Sequence, residues 1–303
     1  MRVLITGATG FIGHNLCEMV SKVHQVQALG RSVNTEALSY QSMIIPDLAE
    51  KINWVPYLAG VDCVIHLAGI AHQSNISPER MYQINTVATK HLLAACVEAK
   101  VKRFIFLSSI AVYGLNASST VLSVETPAPN PSTPYGHSKW LAEQLVWQCC
   151  ATHNVEGVII RPPLVYGKNA PGNIAALNRA LKKHIPLPFA NVNNKRSMVY
   201  VKNLTACITH CITHPGAIGN TFLVSDGLSI STKDFLCRLA AKGGVKPYLF
   251  SMPIEFMRAT LTLLNKKAIF NKLWGDLCID STETGRLLDW QPPFTVDAAW
   301  QNF

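Results

Sequence analysis

The chain has 303 residues, of which 49% are hydrophobic and 15% are charged. This composition excludes a disordered protein, and the length suits one large domain or two fused domains. Lysine and arginine exceed aspartate and glutamate by nine, which favours anionic partners such as nucleotides. The basic residues form no run of five and no basic-aromatic stripe, so nucleic-acid binding is not expected.

Nine cysteines are spread along the chain without a C-x-x-C pair, as in proteins of a reducing compartment. Glycines interrupt the first apolar run after five residues, so no signal peptide is expected. No uninterrupted apolar segment reaches the roughly 18 residues that span a bilayer. We therefore expect a cytoplasmic protein. His66, His72 and His137 lack metal-ligand spacing, so no metal site is expected.

Short apolar runs alternate with longer segments of helical period along the first half of the chain. This alternation predicts an α/β fold of the Rossmann type, a doubly wound parallel sheet with helices on both faces. The predicted buried strands are residues 2–6, 25–29, 62–68, 103–109 and 157–162.

The alternation loosens after Pro163, where prolines become frequent and a helix is predicted near 174–183. We predict a dinucleotide-binding domain at 1–163. A smaller, interleaved C-terminal substrate domain would comprise 164–195 and 227–303. Part of 196–226 is expected to return to the first domain.

The stretch "TGATGFIG" lies between the first predicted strand and a predicted helix. A glycine lets the backbone approach a pyrophosphate there, and the helix directs its positive N-terminus at that anion. The G-x-x-G-x-x-G spacing is not specific alone, since turns could explain it, but its place after the first strand indicates a dinucleotide site. The predicted cofactor-binding residues of this loop are Gly7, Gly10, Phe11, Ile12 and Gly13.

The second predicted strand ends in "ALGRS", with Arg31 where an acidic residue would meet an unphosphorylated ribose. Arginine at this place favours the 2'-phosphate, so NAD(P) is the expected cofactor with NADP(H) slightly preferred. Two alternatives remain open: Arg31 stacks on adenine with either cofactor, or it is a solvated strand end.

Residues 134–140 read "PYGHSKW", in which Tyr135 and Lys139 share one face of a helix. A nearby ammonium favours the phenolate, so we expect Lys139 to lower the pKa of Tyr135 and allow proton exchange near neutral pH. Ser108 and Ser109 end the strand before this helix, at the sheet edge where ligands bind in such folds.

With these motifs in place, the chain resembles the extended short-chain dehydrogenases/reductases of the nucleotide-sugar epimerase/dehydratase family. The finer resemblance is to UDP-glucose 4-epimerase-like enzymes and UDP-sugar 4-keto reductases of bacterial surface polysaccharides. The matching segments occur in family order over nearly the whole chain: "TGATGFIG", "PDL", "HLAG", "YQINTVATKHLL", "SSIAVYG", "YGHSK", "RPPLVYG", "RSMVYVKNL" and "TFLVSDG".

The resemblance implies that Ser109, Tyr135 and Lys139 are catalytic. It implies that Asp47 and Leu48 flank the adenine and that Asn85 supports the active-site lysine. Leu67, Ala68, Gly69 and Pro162 would complete the cofactor site, and Asn173 and Arg196 would bind substrate. The chain departs from the family where Leu164 replaces a frequent asparagine and where Ser197, Lys202 and Asn203 replace acidic residues.

These resemblances imply hydride transfer at C4 of a nucleotide-linked, UDP-type hexose. The expected preference for NADP(H), drawn from Arg31, adds a slight lean to 4-keto reduction over 4-epimerisation. Two other classes stay open: an NADP(H)-sensing regulatory protein without catalysis, and a reductase of apolar carbonyls. A homodimer is compatible with the sequence. The segment 254–274 is apolar with interspersed basic residues. We expect it to face the core of its own domain, and contact with a membrane surface is the less favoured alternative.

Overall fold

A computed structural model of the protein describes most of the chain. The described residues are 1–32, 40–71, 76–114, 121–122, 128–264, 270 and 273–303. Their central sheet is parallel and has seven strands, β1 (Arg2–Thr6), β2 (Gln25–Gly30), β3 (Gln41–Ile44), β4 (Cys63–His66), β5 (Arg103–Leu107), β7 (Glu156–Arg161) and β10 (Asn220–Leu223). The strand order in this sheet is β10-β7-β5-β4-β1-β2-β3.

The predicted doubly wound α/β fold is confirmed, with a difference at two strand ends. The predicted strands 62–68 and 103–109 both stop two residues early, at His66 and Leu107. In each case the chain leaves the ladder at the carboxyl edge of the sheet, where it turns toward the candidate site.

Strand β1 shows how the sheet is buried on both faces. Val3 and Ile5 pack into one apolar cluster, while Leu4 packs into the cluster on the opposite face, because successive side chains of a strand point to opposite sides. Helices cover both faces of this sheet. The α-helices of the described residues, including those outside the central sheet, are α1 (Phe11–Val20), α2 (Val55–Leu58), α3 (Pro78–Tyr82), α4 (Ala88–Glu98), α5 (Pro134–Thr152), α6 (Asn173–Lys182), α7 (Val201–Cys211), α8 (Thr232–Lys242), α9 (Ile254–Leu263), α10 (Thr282–Leu288) and α11 (Val296–Gln301).

A smaller set of strands lies beyond the central sheet. Strands β8 (Leu164–Tyr166), β9 (Arg196–Tyr200) and β11 (Ser229–Ile230) form one sheet, and β6 (Val121–Leu122) pairs with β12 (Cys278–Ile279). An aromatic cluster with Tyr166 and Tyr200 at its centre packs under these elements. Between β9 and β11 the chain returns to the central sheet as β10, but the predicted domain boundaries themselves stay a prediction.

Helix α9 covers the start of the predicted segment 254–274, of which residues 265–269 and 271–272 lie outside the described part. Met257 and Leu261 are partly buried against the aromatic cluster. In contrast to a helix that faces only its own core, α9 contains no fully buried residue. Within the described ranges, no helix is both long and apolar enough to cross a membrane.

Candidate active site

The glycine loop after β1 is packed too tightly for side chains at two of its three glycines. Gly7 has φ +72°, and a Cβ there would lie 2.8 Å from the backbone nitrogen of Ala68. A Cβ on Gly13 would collide with the Gly7 carbonyl oxygen, whereas one on Gly10 would lie 3.2 Å from it. The first turn of helix α1 therefore lies in close contact with the residues that directly follow β1. Its first-turn N–H groups, which have no intrahelical acceptor, form an anion site that fits a pyrophosphate.

The end of β2 closes against this loop. A Cβ on Gly30 would lie 2.5 Å from the Thr9 side chain. A cavity of about 240 Å³ opens beside the contact, and Arg31 is exposed at the strand end. The cavity offers room for the adenosine end of a dinucleotide. Its lining residues are Ala8, Thr9, His14, Ala28, Ser32, Tyr40 and Ser42.

The carboxylate expected beside the adenine already has protein partners. Asp47 accepts a hydrogen bond from Arg80 at 2.7 Å and another from the backbone nitrogen of Ala49 at 2.9 Å. Leu48 packs at the margin of an apolar cluster. The adenine role of Asp47 and Leu48 stays a prediction.

Tyr135 lies in the first turn of α5. The Thr133 side chain caps this helix by accepting from the Gly136 nitrogen at 3.1 Å, and Pro134 is its first residue. Burial raises the pKa of Tyr135, and a hydrogen bond with Ser109 lowers it. Ser109 Oγ also accepts from the Ala111 nitrogen at 3.2 Å, so its own proton is available to the Tyr135 oxygen.

Lys139 is buried one turn further along α5. Its Nζ donates to the Leu107 carbonyl at 2.8 Å and lies 4.5 Å from the centre of the Phe106 ring. Burial lowers the pKa of Lys139 to about 8, although the Glu143 carboxylate opposes the shift. A Cβ built on Gly69 would lie 3.5 Å from this Nζ. The absence of a side chain at Gly69 therefore leaves room beside the Lys139 ammonium.

The expected lowering of the Tyr135 pKa by Lys139 is corrected by this geometry. The ammonium is directed at the Leu107 carbonyl at the end of β5. Burial raises the pKa of Tyr135, and the lowering influence comes from the Ser109 hydroxyl. Sharing a helix face brings two residues near each other but does not fix the direction of a long lysine side chain.

Asn85 joins the segment after β4 to α5. Its amide exchanges two hydrogen bonds with the Ile70 backbone, at 2.8 and 3.0 Å, and donates to Ser138 Oγ at 2.9 Å. It lies in a π-helical turn, Gln83–Val87, between α3 and α4, a feature frequent at functional sites. The predicted supporting role of Asn85 stays a prediction, which these contacts favour.

A buried chain of hydrogen-bonded polar groups lies beside the site, and the spacing of its residues in the sequence did not predict it. The Ala68 nitrogen donates to Thr6 Oγ1 at 3.3 Å, and Thr6 Oγ1 lies 2.6 Å from His66 Nδ1. On the other side His66 Nε2 lies 3.0 Å from Thr89 Oγ1, which donates to the Asn85 carbonyl at 2.8 Å. Because Thr89 uses its proton on that carbonyl, His66 carries its proton on Nε2 and accepts from Thr6 on Nδ1.

Burial and the Lys139 charge lower the pKa of His66 to about 3. The imidazole is therefore neutral at physiological pH and keeps this single direction of hydrogen bonds. It connects the end of β1, directly before the glycine loop, to Asn85. His66 thus fixes two parts of the predicted cofactor site relative to each other.

A second buried group that the sequence did not indicate holds the Ser109 segment. Arg161 makes two hydrogen bonds to the fully buried Glu143 of α5 and donates to the Tyr113 hydroxyl at 2.6 Å. The next residue, Pro162, accepts from the Ile110 nitrogen at 3.1 Å through its carbonyl. These contacts tie β7, α5 and the turn after Ser109 together.

The two predicted substrate residues lie on elements of the smaller set. Asn173 is exposed at the first position of α6. Arg196 begins β9, and its guanidinium donates to the Gly275 carbonyl at 2.7 Å. Burial lowers the pKa of Arg196. Both substrate roles stay predictions.

The glycine loop, Ala68, Gly69 and Lys139 lie close together at the carboxyl edge of the sheet. Contacts run from the glycine loop to Ala68 and from Gly69 to Lys139. A wider concavity of about 690 Å³ lies at the opposite edge, lined by residues such as Arg2 and Asp62, and holds none of the predicted site residues. Parallel α/β sheets bind ligands at their carboxyl edge, which favours the side with the glycine loop and Lys139.

A comparison with known protein families shows to which family the chain belongs. The family model described as "NAD dependent epimerase/dehydratase family" matches residues 3–225, most of the chain. The chain belongs to this family. The match spans the glycine loop, Ser109, Tyr135 and Lys139, so the resemblance drawn from the sequence is confirmed.

Curated relatives of this epimerase/dehydratase family member include two 4-epimerases. The UDP-glucose 4-epimerase of Vibrio cholerae is 33% identical over 311 residues, covering 99% of this chain and 93% of that protein. The N-acetyl-alpha-D-glucosaminyl-diphospho-ditrans,octacis-undecaprenol 4-epimerase of Escherichia coli O157:H7 is 31% identical over 71% of this chain and 64% of its own length. The chain is thus an enzyme of the NAD-dependent nucleotide-sugar epimerase/dehydratase type.

Solved structures share the fold over the whole length. UDP-glucuronic acid 4-epimerase from Bacillus cereus in complex with NAD has a TM-score of 0.81 at 21% identity, covering 100% of this chain and 97% of that chain. MoeE5 in complex with UDP-glucuronic acid and NAD has a TM-score of 0.80 at 23% identity, with the same coverage. At these identities the likeness shows the fold alone.

Proposed function

We propose that this enzyme inverts C4 of a UDP-linked hexose by removing a hydride from C4 and returning it to the opposite face. The observation that carries the proposal is the grouping of Ser109, Tyr135 and Lys139 beside a glycine loop built for a dinucleotide. A half-buried phenol with a hydroxyl partner can exchange a proton with a sugar hydroxyl. The full-length similarity to a UDP-glucose 4-epimerase supports this reaction over others of the family.

In the oxidising half of the reaction, Tyr135 accepts the proton of the C4 hydroxyl as the C4 hydrogen leaves with its electron pair. The sugar becomes a 4-keto sugar, and a bound NAD supplies the hydride acceptor. Ser109 donates its one hydroxyl proton to the Tyr135 oxygen and so stabilises the phenolate that Tyr135 needs for this step. In the second half, Tyr135 returns the proton to the C4 oxygen.

Lys139 would hold the nicotinamide ribose. One of its protons is donated to the Leu107 carbonyl, and an ammonium has three protons to donate. With a pKa of about 8, the group is mainly charged at neutral pH. Gly69 keeps the approach to it open, because a side chain there would press on both Lys139 and Asn85.

Reduction of a supplied 4-keto sugar by NADP(H) is the second candidate function. It rests on Arg31, which is exposed at the end of β2 and would meet a 2'-phosphate through a charge-assisted hydrogen bond. An epimerase recovers its cofactor in every cycle, whereas a reductase releases the oxidised form. A bacterial surface-polysaccharide setting, a cytoplasmic location and a homodimer stay predictions beside either function.

The two reactions are distinguished by supplying UDP-glucose or UDP-N-acetylglucosamine without added reductant. We expect the C4 epimer to accumulate, observed by proton NMR, and the Tyr135→Phe variant to be inactive. No epimer from wild type, together with NADPH oxidation on a UDP-4-keto sugar, would favour the reductase. Nicotinamide binding without turnover of any of these sugars would favour the sensor.

The nucleotide bound by the purified enzyme gives an independent result. Denatured protein should release NAD if the enzyme is an epimerase. A preference for NADPH over NADH that disappears in Arg31→Ala would support the reductase. An unchanged preference in Arg31→Ala would show that Arg31 does not read the 2'-phosphate.

A further inference from the structure

Helix α9 presents large apolar side chains to solvent. Phe256 is 57% exposed and Leu263 is 85% exposed. Seven residues apart on a helix, they lie on the same side. Ile254 at the start of the helix and Leu264 directly after it are 47% and 60% exposed. We call these four residues the α9 surface. Exposed apolar groups this close together mark an interaction site more often than isolated ones do.

The orientation of α9 is fixed by its other side. Met257 and Leu261, four residues apart, pack against the apolar cluster around Trp274 and Phe189. The helix therefore has an inner side held by the protein and an exposed side on which Phe256 and Leu263 lie among the polar residues Glu255, Arg258 and Thr262.

The protein around this surface is strongly basic. Residues 157–225 contain eight lysines and arginines and no acidic residue. Glu255 is the single acidic residue in the sequence between Asp234 and Asp276, and its carboxylate is 3.1 Å from Arg258. The nine-charge surplus of the chain is thus concentrated between residues 157 and 275, a stretch that contains α9.

Lysines lie in two segments that share an apolar cluster with α9. Leu181 and Val245, which directly precede these lysines, belong to the same cluster as Met257 and Leu261 of α9. Lys182 and Lys183, at the end of α6, and Lys246 are exposed. Their segments are joined where the Leu187 nitrogen donates to the Tyr248 carbonyl at 2.9 Å, six residues before α9 begins. Tyr248 is itself 61% exposed. Exposed apolar side chains together with exposed lysines and a tyrosine are the composition of a surface that lies on anionic lipid.

We propose that the α9 surface docks the enzyme onto an anionic lipid bilayer. Phe256 and Leu263 would enter the region between headgroups and acyl chains, and the lysines would meet the lipid phosphates. A second copy of this chain fits less well, because a two-fold contact would place like charges on both sides of the interface. The proposal concerns location and does not depend on which sugar is the substrate.

The test is sedimentation of the full-length enzyme with vesicles of phosphatidylcholine, alone or with phosphatidylglycerol. We expect binding to the anionic vesicles that weakens as salt is raised. Phe256→Ser/Leu263→Ser should lower the partition coefficient by at least about tenfold, because two large apolar groups no longer enter the lipid. The control Val23→Ser/Val55→Ser changes two exposed apolar residues far from α9 in sequence and should bind as wild type does.

Turnover of UDP-sugars should stay unchanged in both double variants. Lys182→Gln/Lys183→Gln should bind anionic vesicles more weakly and with less dependence on salt. As a second measurement, the emission of Phe256→Trp should shift to shorter wavelength on addition of anionic vesicles.

Three results would overturn the proposal. One is wild-type protein that does not bind anionic vesicles, and another is a Phe256→Trp emission that does not change. The third is a sedimentation-velocity experiment without lipid in which wild type is a dimer and Phe256→Ser/Leu263→Ser a monomer, which would assign the α9 surface to a second copy.

Discussion

The strongest prediction about stability concerns the buried imidazole of His66. Its pKa is lowered from 6.5 to about 3 because it is fully buried and near the Lys139 charge. In the unfolded chain the imidazole takes up a proton below about pH 6.5, whereas the folded state resists protonation. Its contribution to stability is therefore present above pH 6.5 and is lost progressively as the pH falls toward 3.

The magnitude follows from two pH units between 6.5 and 4.5. Each unit corresponds to about 1.4 kcal/mol, so the free energy of unfolding should fall by about 3 kcal/mol from this one group at pH 4.5. His66→Gln removes the titration while keeping a polar side chain. The wild type should therefore lose about 3 kcal/mol more than His66→Gln when both are moved from pH 7.5 to 4.5.

Urea unfolding at the two pH values measures this difference. His91→Gln, at an exposed position of α4, is the matched control and should show the same pH dependence as wild type. At pH 7.5 His66→Gln should also bind NAD more weakly, because the chain of hydrogen bonds from Thr6 through His66 and Thr89 to Asn85 is broken. Equal pH dependence of wild type and His66→Gln would refute the assignment of a neutral, fixed imidazole.

Three substitutions test other parts of the site. Tyr135→Phe should lower kcat by about 10² to 10⁴ and leave NAD binding within a few-fold; more than a tenth of wild-type kcat would remove it as the proton carrier. Gly10→Val should fold, since a Cβ there meets the protein only at 3.2 Å, but should lose NAD affinity by calorimetry; full affinity would make the loop a simple turn. Glu143→Gln should cost about 3 to 5 kcal/mol in thermal unfolding, because Arg161 stays buried without its counter-charge. Glu283→Gln, at a surface pair, should change stability little, and equal effects would contradict the burial argument.

Most of the order of strands and helices was predictable because β1, β4, β5 and β7 are mainly apolar in sequence. The sequence did not reveal β3 and β10. β3 reads "QSMI" and contains no fully buried residue, and β10 is a four-residue edge strand beside β7. Such strands are defined by the neighbour that pairs with them, so their own composition is a weak signal.

The candidate site was predictable where its residues are close in sequence. Tyr135 and Lys139 are one turn apart on α5, and the three glycines share one loop. The contact between Thr6 and His66 joins residues 60 positions apart, and no spacing rule connects them. The sequence also could not predict the direction of the Lys139 side chain, because the Leu107 carbonyl that accepts its hydrogen bond is 32 residues away.

The central claim is that a hydride leaves C4 and returns to it within one active site. UDP-glucose deuterated at C4 tests it directly, with the purified enzyme and its own bound cofactor in ordinary water. The account predicts UDP-galactose that keeps its deuterium at C4, together with no product from Tyr135→Phe. UDP-galactose in which the C4 deuterium has been replaced by solvent hydrogen, or no C4 epimer from the wild-type enzyme, would contradict it.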